Sequence, residues 1–179
     1  MELWDVYDDR RMPLHKTHQR GKSMGEGENH VAVGVIVFNS RGEILITRRS
    51  AEKRSDPGKW ENTIGSVLAG EDSQSGAARE LFEETGIQVQ PEELHFLQTV
   101  ERQSRHCFVD IFIVHQDVSL DDLTLQPGET CGARWVAFRQ WKDMLRQKDV
   151  VFAVQDHFGE FIESVKRFTT QYLRTMKRQ

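Results

Sequence analysis

Cysteine is nearly absent from this chain. Only Cys107 and Cys131 occur among 179 residues. Two are too few for a disulfide framework, and they read as free thiols in the reducing cytoplasm. Long apolar runs are also missing. None approaches the roughly 18 residues that a membrane-spanning helix needs, and the opening MELWDVYDDRR is acidic, with no apolar signal core. Positive charge is not in excess either. A formal net charge of −4 argues against a nucleic-acid polymer as partner, because Lys and Arg supply most of that affinity. The basic residues Lys166, Arg167, Arg174, Lys177 and Arg178 near the end read as a solvated helix face and tail. There is no internal repeat and no low-complexity tract. At this length the expectation is one domain over residues 1–179 with a sizeable core.

What is present alternates between strand and helix signals. Residues 1–28 look like a polar, irregular N-terminal extension with Trp4, Tyr7 and Leu14 as isolated apolar anchors, and 21–28 form a glycine-rich loop or loose hairpin. Residues 31–39 read as a buried strand, Ser40-Arg41-Gly42 as a turn, and 43–49 as the returning strand. A charged loop with Pro57-Gly58 leads to Trp60. Further strands are expected at 94–100, 107–115 and 133–138, with a loop at 120–128 and a helical piece at 141–145. The last segment, 150–179, reads as a C-terminal helix, in which Phe158, Phe161, Ile162, Val165, Phe168 and Tyr172 recur at three- and four-residue steps. That face is expected to pack on the core or to serve a homodimer contact. The mixed order predicts an α/β fold with helices on both faces of a sheet.

The chemistry concentrates in GSVLAGEDSQSGAARELFEETGI, residues 65–87. At roughly 100° per residue, Glu84 lies about 40° to one side of Glu80 and Glu83 about 60° to the other. Arg79 sits just beyond Glu83. Ala77, Ala78, Leu81, Phe82 and Thr85 occupy the opposite, apolar side. Asp72 or Ser73 is placed to cap the helix start, and Gly86 to supply the left-handed residue after its end. Carboxylates at such spacing repel one another. Either they form a solvated acidic face, or a hard cation such as Mg²⁺ or Mn²⁺ relieves the repulsion.

The whole string matches the Nudix box. Gly65, Glu71, Arg79, Glu80, Leu81, Glu83, Glu84, Gly86 and Ile87 fall at its specified positions without insertion. The chain thus resembles the Nudix hydrolases. The resemblance implies a Nudix-type α/β/α sandwich with a mixed β-sheet between helices. It also implies a Mg²⁺- or Mn²⁺-dependent enzyme cleaving the pyrophosphate of a nucleoside diphosphate linked to another moiety, or of a similar small organic diphosphate. By that resemblance the Gly65 carbonyl, Glu80, Glu83 and Glu84 hold metal, and Arg79 orients a carboxylate. Glu71 binds metal through water or caps the loop. The general base is a box glutamate such as Glu83, or Glu129 from a later loop. Arg48, Arg49, Lys53, Lys59 and Arg134 are candidate phosphate-binding cations, and Trp60, with Phe108 and Phe112, a candidate base-stacking surface.

Outside the box, WDVYD, RG and GENH resemble the Nudix subgroup that includes type 1 isopentenyl-diphosphate isomerase, and His30 matches the histidine opening that enzyme's first core strand. The isomerase needs a cysteine followed by a metal-binding histidine where this chain reads NTIGSVL, residues 62–68. Neither is present, which favours hydrolysis. Ile64 stands where many Nudix proteins have a second glycine. An isomerase-like enzyme and a non-catalytic nucleotide-binding module on the same fold remain the rival readings.

Overall fold

A computed structural model describes residues 1–152 and 158–178. The strands are β1 (Leu3–Tyr7), β2 (Pro13–Gln19), β3 (His30–Phe38), β4 (Glu43–Arg49), β5 (Trp60–Glu61), β6 (Thr63–Ser66), β7 (His95–Arg102), β8 (Cys107–His115), β9 (Thr130–Ala137) and β10 (Val150–Val151). The helices are α1 (Ser73–Thr85), α2 (Phe138–Gln147) and α3 (Phe158–Met176). The main sheet runs β10-β5-β4-β3-β8-β7, with β6 paired to β3 and β9 to β4. It is mixed: β3 and β8 are parallel along their length, as are β10 and β5, and the other pairs are antiparallel. Among the described residues, no helix is long and apolar enough to cross a membrane.

The central strands are buried on both faces. Every residue of β3 is buried, and β8 is buried from Cys107 to Val114, as expected where helices cover both sides. Val31, Val33, Val35 and Val37 join Ala77 and Leu81 of α1 on one face. Ile36, Phe38, Ile44 and Ile46 join Trp141 of α2 and Phe161, Ile162 and Val165 of α3 on the other. Thus α3 packs on the core, where Tyr172 stacks on His115 and meets Phe38 edge-on. The Phe158 side chain lies outside the described residues.

Three sequence expectations need correction. The helix expected over 150–179 is shorter, because Val150–Val151 pair with β5 as a strand and α3 is Phe158–Met176. Residues 1–28 are not irregular: β1 and β2 form an antiparallel hairpin. Alternation was hidden because β2 is mostly exposed and gains its order from pairing rather than from an apolar face. Arg11 near the turn anchors the hairpin, gripping the buried Asp110 of β8 with both guanidinium nitrogens. Phe82 does not face the core either; it is 53% exposed, because α1 presents only a narrow stripe to the sheet.

The sheet opens between β3 and β4, which share a registered pair only at Phe38 and Ile44. The segment β5–β6 enters this gap, pairing first with β4 and then with β3. Asn62 sits at the crossing, 1% exposed. Its amide donates to the Leu45 carbonyl at 3.1 Å and accepts from the Trp141 indole N–H at 2.9 Å. Buried backbone and indole groups must be paired, and this one side chain pairs one of each. Asn62→Leu should therefore destabilise the fold by about 2–4 kcal/mol, read as a lower urea midpoint with an unchanged slope.

Candidate active site

Helix α1 begins and ends as its sequence dictates. The Asp72 carboxylate accepts from the Ser75 amide at 2.8 Å, and Gly86 takes φ 76° while its N–H bonds the Phe82 carbonyl. This fixes the register that puts Arg79, Glu80, Glu83 and Glu84 beside β6.

Arg79 is the hub. Nε and one terminal nitrogen grip the two oxygens of Glu71 at 3.0 and 2.9 Å. The other terminal nitrogen reaches Glu80 at 2.8 Å and Glu83 at 3.2 Å, and Arg79 also donates to the Ser66 carbonyl at 2.9 Å. Hydrogen bonds to Glu71, and then to Glu80, raise the Arg79 pKa beyond its ordinary value. Glu71 also accepts from the Leu68 amide at 3.0 Å. Burial works against the charge of Glu71, yet Arg79 and that amide hold its pKa below the usual carboxylate value.

Gly65 of β6 lies against Glu80, and any side chain at Gly65 would run into that carboxylate. Glycine serves close approach here, leaving room for the Glu80 carboxylate in its present position, rather than a backbone angle. Burial pushes the Glu80 carboxyl up, against the pull of Arg79.

Glu84 differs from its neighbours. It is 9% exposed, and its Oε2 is buried without a hydrogen-bond partner among the described residues. Burial first, then the charges of Glu61 and Glu80, push its pKa up to about 8. Glu61 of β5 therefore belongs to the site, though sequence spacing gave no sign of it. Its carboxylate holds the buried Arg49, and Arg49 also donates to the Ser55 carbonyl at 2.8 and 3.0 Å and to the Ser55 hydroxyl. Arg49 is thus a committed buried partner, which ties down the 50–58 loop. Lys53 in that loop pairs with Glu129, whose loop bonds the Glu84 carbonyl through the Gln126 amide, while the charges of Glu61 and Glu84 also act on Lys53.

Other candidates lie elsewhere. Arg48 and Trp60 are directly paired across β4 and β5, and Trp60 packs with the α2–α3 core. They face away from α1. There Arg134 stacks over the Trp60 ring at 4.0 Å and Arg48 at 6.0 Å. Phe108 and Phe112 are buried, and Lys59 pairs with Asp56 at 2.9 Å. His30 is buried and stacked on Trp4 at 4.1 Å, with burial holding its pKa down to about 4. Among the described residues no three acidic, His or Cys groups are gathered at metal-binding spacing. Arg79 draws Glu80 and Glu83 to itself, whereas Glu84 points inward.

The NUDIX domain model matches residues 28–154. The chain belongs to the NUDIX family. It is 39% identical over 140 residues to an uncharacterized Nudix hydrolase of Listeria monocytogenes, spanning 76% of this chain and 80% of that one. It shares 43% identity over 63 residues with an isopentenyl-diphosphate isomerase of Pectobacterium atrosepticum, covering 35% of each chain. A crystal structure from Deinococcus radiodurans superimposes with a TM-score of 0.71 at 19% identity, covering 93% of this chain and 98% of that one, and shows the same fold. The family match and the Listeria relative make the chain a Nudix hydrolase.

The state of Glu84 has a measurable consequence. Without metal, the folded protein keeps a proton that an unfolded Glu84 releases above about pH 4.5. Stability should then fall as pH rises from about 4.5 to about 8, by on the order of 4 kcal/mol in all. Glu84→Gln should remove most of that slope. Urea unfolding in chelator at pH 5 and pH 8 measures it.

Proposed function

We propose that this Nudix hydrolase is a Mg²⁺- or Mn²⁺-dependent pyrophosphohydrolase. Its substrate is a small nucleoside diphosphate linked to another moiety, or a similar organic pyrophosphate. The observation that carries this reading is the buried, unpartnered Glu84 oxygen under the charges of Glu61 and Glu80. An anion so placed is costly without a compensating cation. All-oxygen donors beside a glycine that leaves room for Glu80 suit a hard divalent ion. The Gly65 carbonyl, Glu80, Glu83 and Glu84 would hold it. When bound, such an ion shields a diphosphate's charge and activates water.

The rest falls to the chain. Arg79 keeps Glu80 and Glu83 on one side of α1 and locks Glu71 against the loop, so Glu71 acts by positioning. Glu129, at the site mouth and restrained by Lys53, is the proposed base that takes the proton of the attacking water; Glu83, 45% exposed, is the alternative. Lys53 presents positive charge to the diphosphate, while Arg49 stays with Glu61 and the 50–58 loop. Arg48 and Trp60 are left out, because they face α2. The free thiols Cys107 and Cys131 suit a cytoplasmic setting.

Isomerisation is the weaker reading. No cysteine or histidine occurs in residues 62–68, and His30 is engaged by Trp4. The test is a panel of nucleoside-diphosphate derivatives and organic pyrophosphates incubated with Mg²⁺, scored by phosphate release. Hydrolysis of at least one compound is expected. Tight binding without turnover would make the protein a binding module, and conversion of isopentenyl diphosphate without hydrolysis would make it an isomerase. Glu83→Gln should lower turnover at least about a hundredfold without changing the melting temperature, since this carboxylate faces solvent and Arg79 rather than core. Gly65→Ala should cost little stability, because the Glu80 side chain can swing aside, yet abolish the rise in melting temperature that Mg²⁺ gives the parent protein.

A further inference from the structure

The hairpin β1–β2 reaches the same site, outside the matched residues 28–154. Its open end docks on the box loop. The Ala69 amide donates to the Leu3 carbonyl at 2.8 Å, and the Gly70 amide donates to the Asp5 carboxylate at 2.7 Å. Leu3 is registered with Gln19, and the Arg20 amide bonds the Glu2 carbonyl at 3.1 Å. Glu2 and Arg20 therefore close the hairpin beside the loop that carries Glu71. Their charges are felt on the site's own groups: Glu2 acts on Glu80 and Arg20 on Lys53.

The cations around the site differ in how firmly they are held. Arg79 is shared among Glu71, Glu80 and Glu83. Arg49 is committed to Glu61 and the 50–58 loop, and the Arg49 and Glu61 side chains are only 9% and 3% exposed. Among the described residues the Arg20 guanidinium grips only the two oxygens of Glu2, at 2.7 and 2.8 Å, with the pair 59% and 44% exposed. An exposed ion pair contributes little to stability, so a phosphate can exchange with Glu2 at small cost. A guanidinium also matches phosphate oxygens in two-point geometry.

We propose that Arg20 is a substrate-binding residue, contacting a phosphate of the bound pyrophosphate, and that Glu2 competes with that phosphate for it. This rests on the pyrophosphohydrolase reading. It makes the N-terminal hairpin a wall of the site and a determinant of how the diphosphate is gripped.

The test uses the full chain with Mg²⁺ and imidodiphosphate, a non-hydrolysable pyrophosphate analogue, in titration calorimetry. Arg20→Ala should weaken binding about tenfold to a hundredfold with an unchanged melting temperature, and Arg20→Lys should recover part of the loss. Glu2→Ala should tighten binding by up to about fivefold. A hairpin-pinning role alone would move both alanine variants in the same direction, and that result overturns the proposal. Equal binding by parent and Arg20→Ala, while the parent hydrolyses a panel compound, overturns the Arg20 role and leaves the enzymatic reading standing. No binding by the parent, with no panel compound turned over, overturns both.

Discussion

The opening of the sheet between β3 and β4 is the constraint on which the rest of the molecule depends. Two strands that diverge leave backbone groups without partners inside the core, and such groups must be satisfied. The segment from Trp60 to Ser66 fills the gap, with Asn62 pairing the Leu45 carbonyl and the Trp141 indole. One side of this segment delivers Glu61 toward Glu84. Its far end delivers Gly65 against Glu80. The surroundings of the α1 carboxylates are thus set by a strand crossing rather than by the helix alone.

Arg79 translates that placement into order. One guanidinium joins the loop through Glu71, the sheet through Ser66 and the helix through Glu80 and Glu83. It offsets like-charge repulsion that would otherwise oppose bringing these carboxylates together. Glu84 has no such guanidinium, and the Thr63 hydroxyl and the charge of Lys53 do not outweigh its burial. Its burial is unfavourable for an anion, which is the kind of local cost that folds retain at functional sites.

The box was readable because its logic is local. Helix periodicity fixes which side of α1 carries Glu80, Glu83 and Glu84, and capping rules fix where α1 starts and stops. The central strands were readable as well, since 31–39 and 107–115 are apolar enough to be buried on both faces. The misses share a cause. The hairpin β1–β2 has exposed, polar alternation and owes its order to pairing and to Arg11 on Asp110. Arg49 and Lys53 read in sequence as candidate phosphate-binding cations, yet each is held by a carboxylate 12 or 76 residues away in the chain. Trp60 looked like a stacking surface for a ligand base, and it is already stacked with Arg134.

By itself, then, the sequence determined the α/β class, the limits of α1 and the identity of the acidic cluster, because each follows from short-range periodicity and backbone geometry. The tertiary structure decided which glutamate is buried, that Glu61 lies beside it, which face Arg48 and Trp60 occupy, and that the N-terminal hairpin docks on the loop carrying Glu71. Those outcomes depend on burial and on charges brought together from distant segments, and no spacing along the chain encodes them.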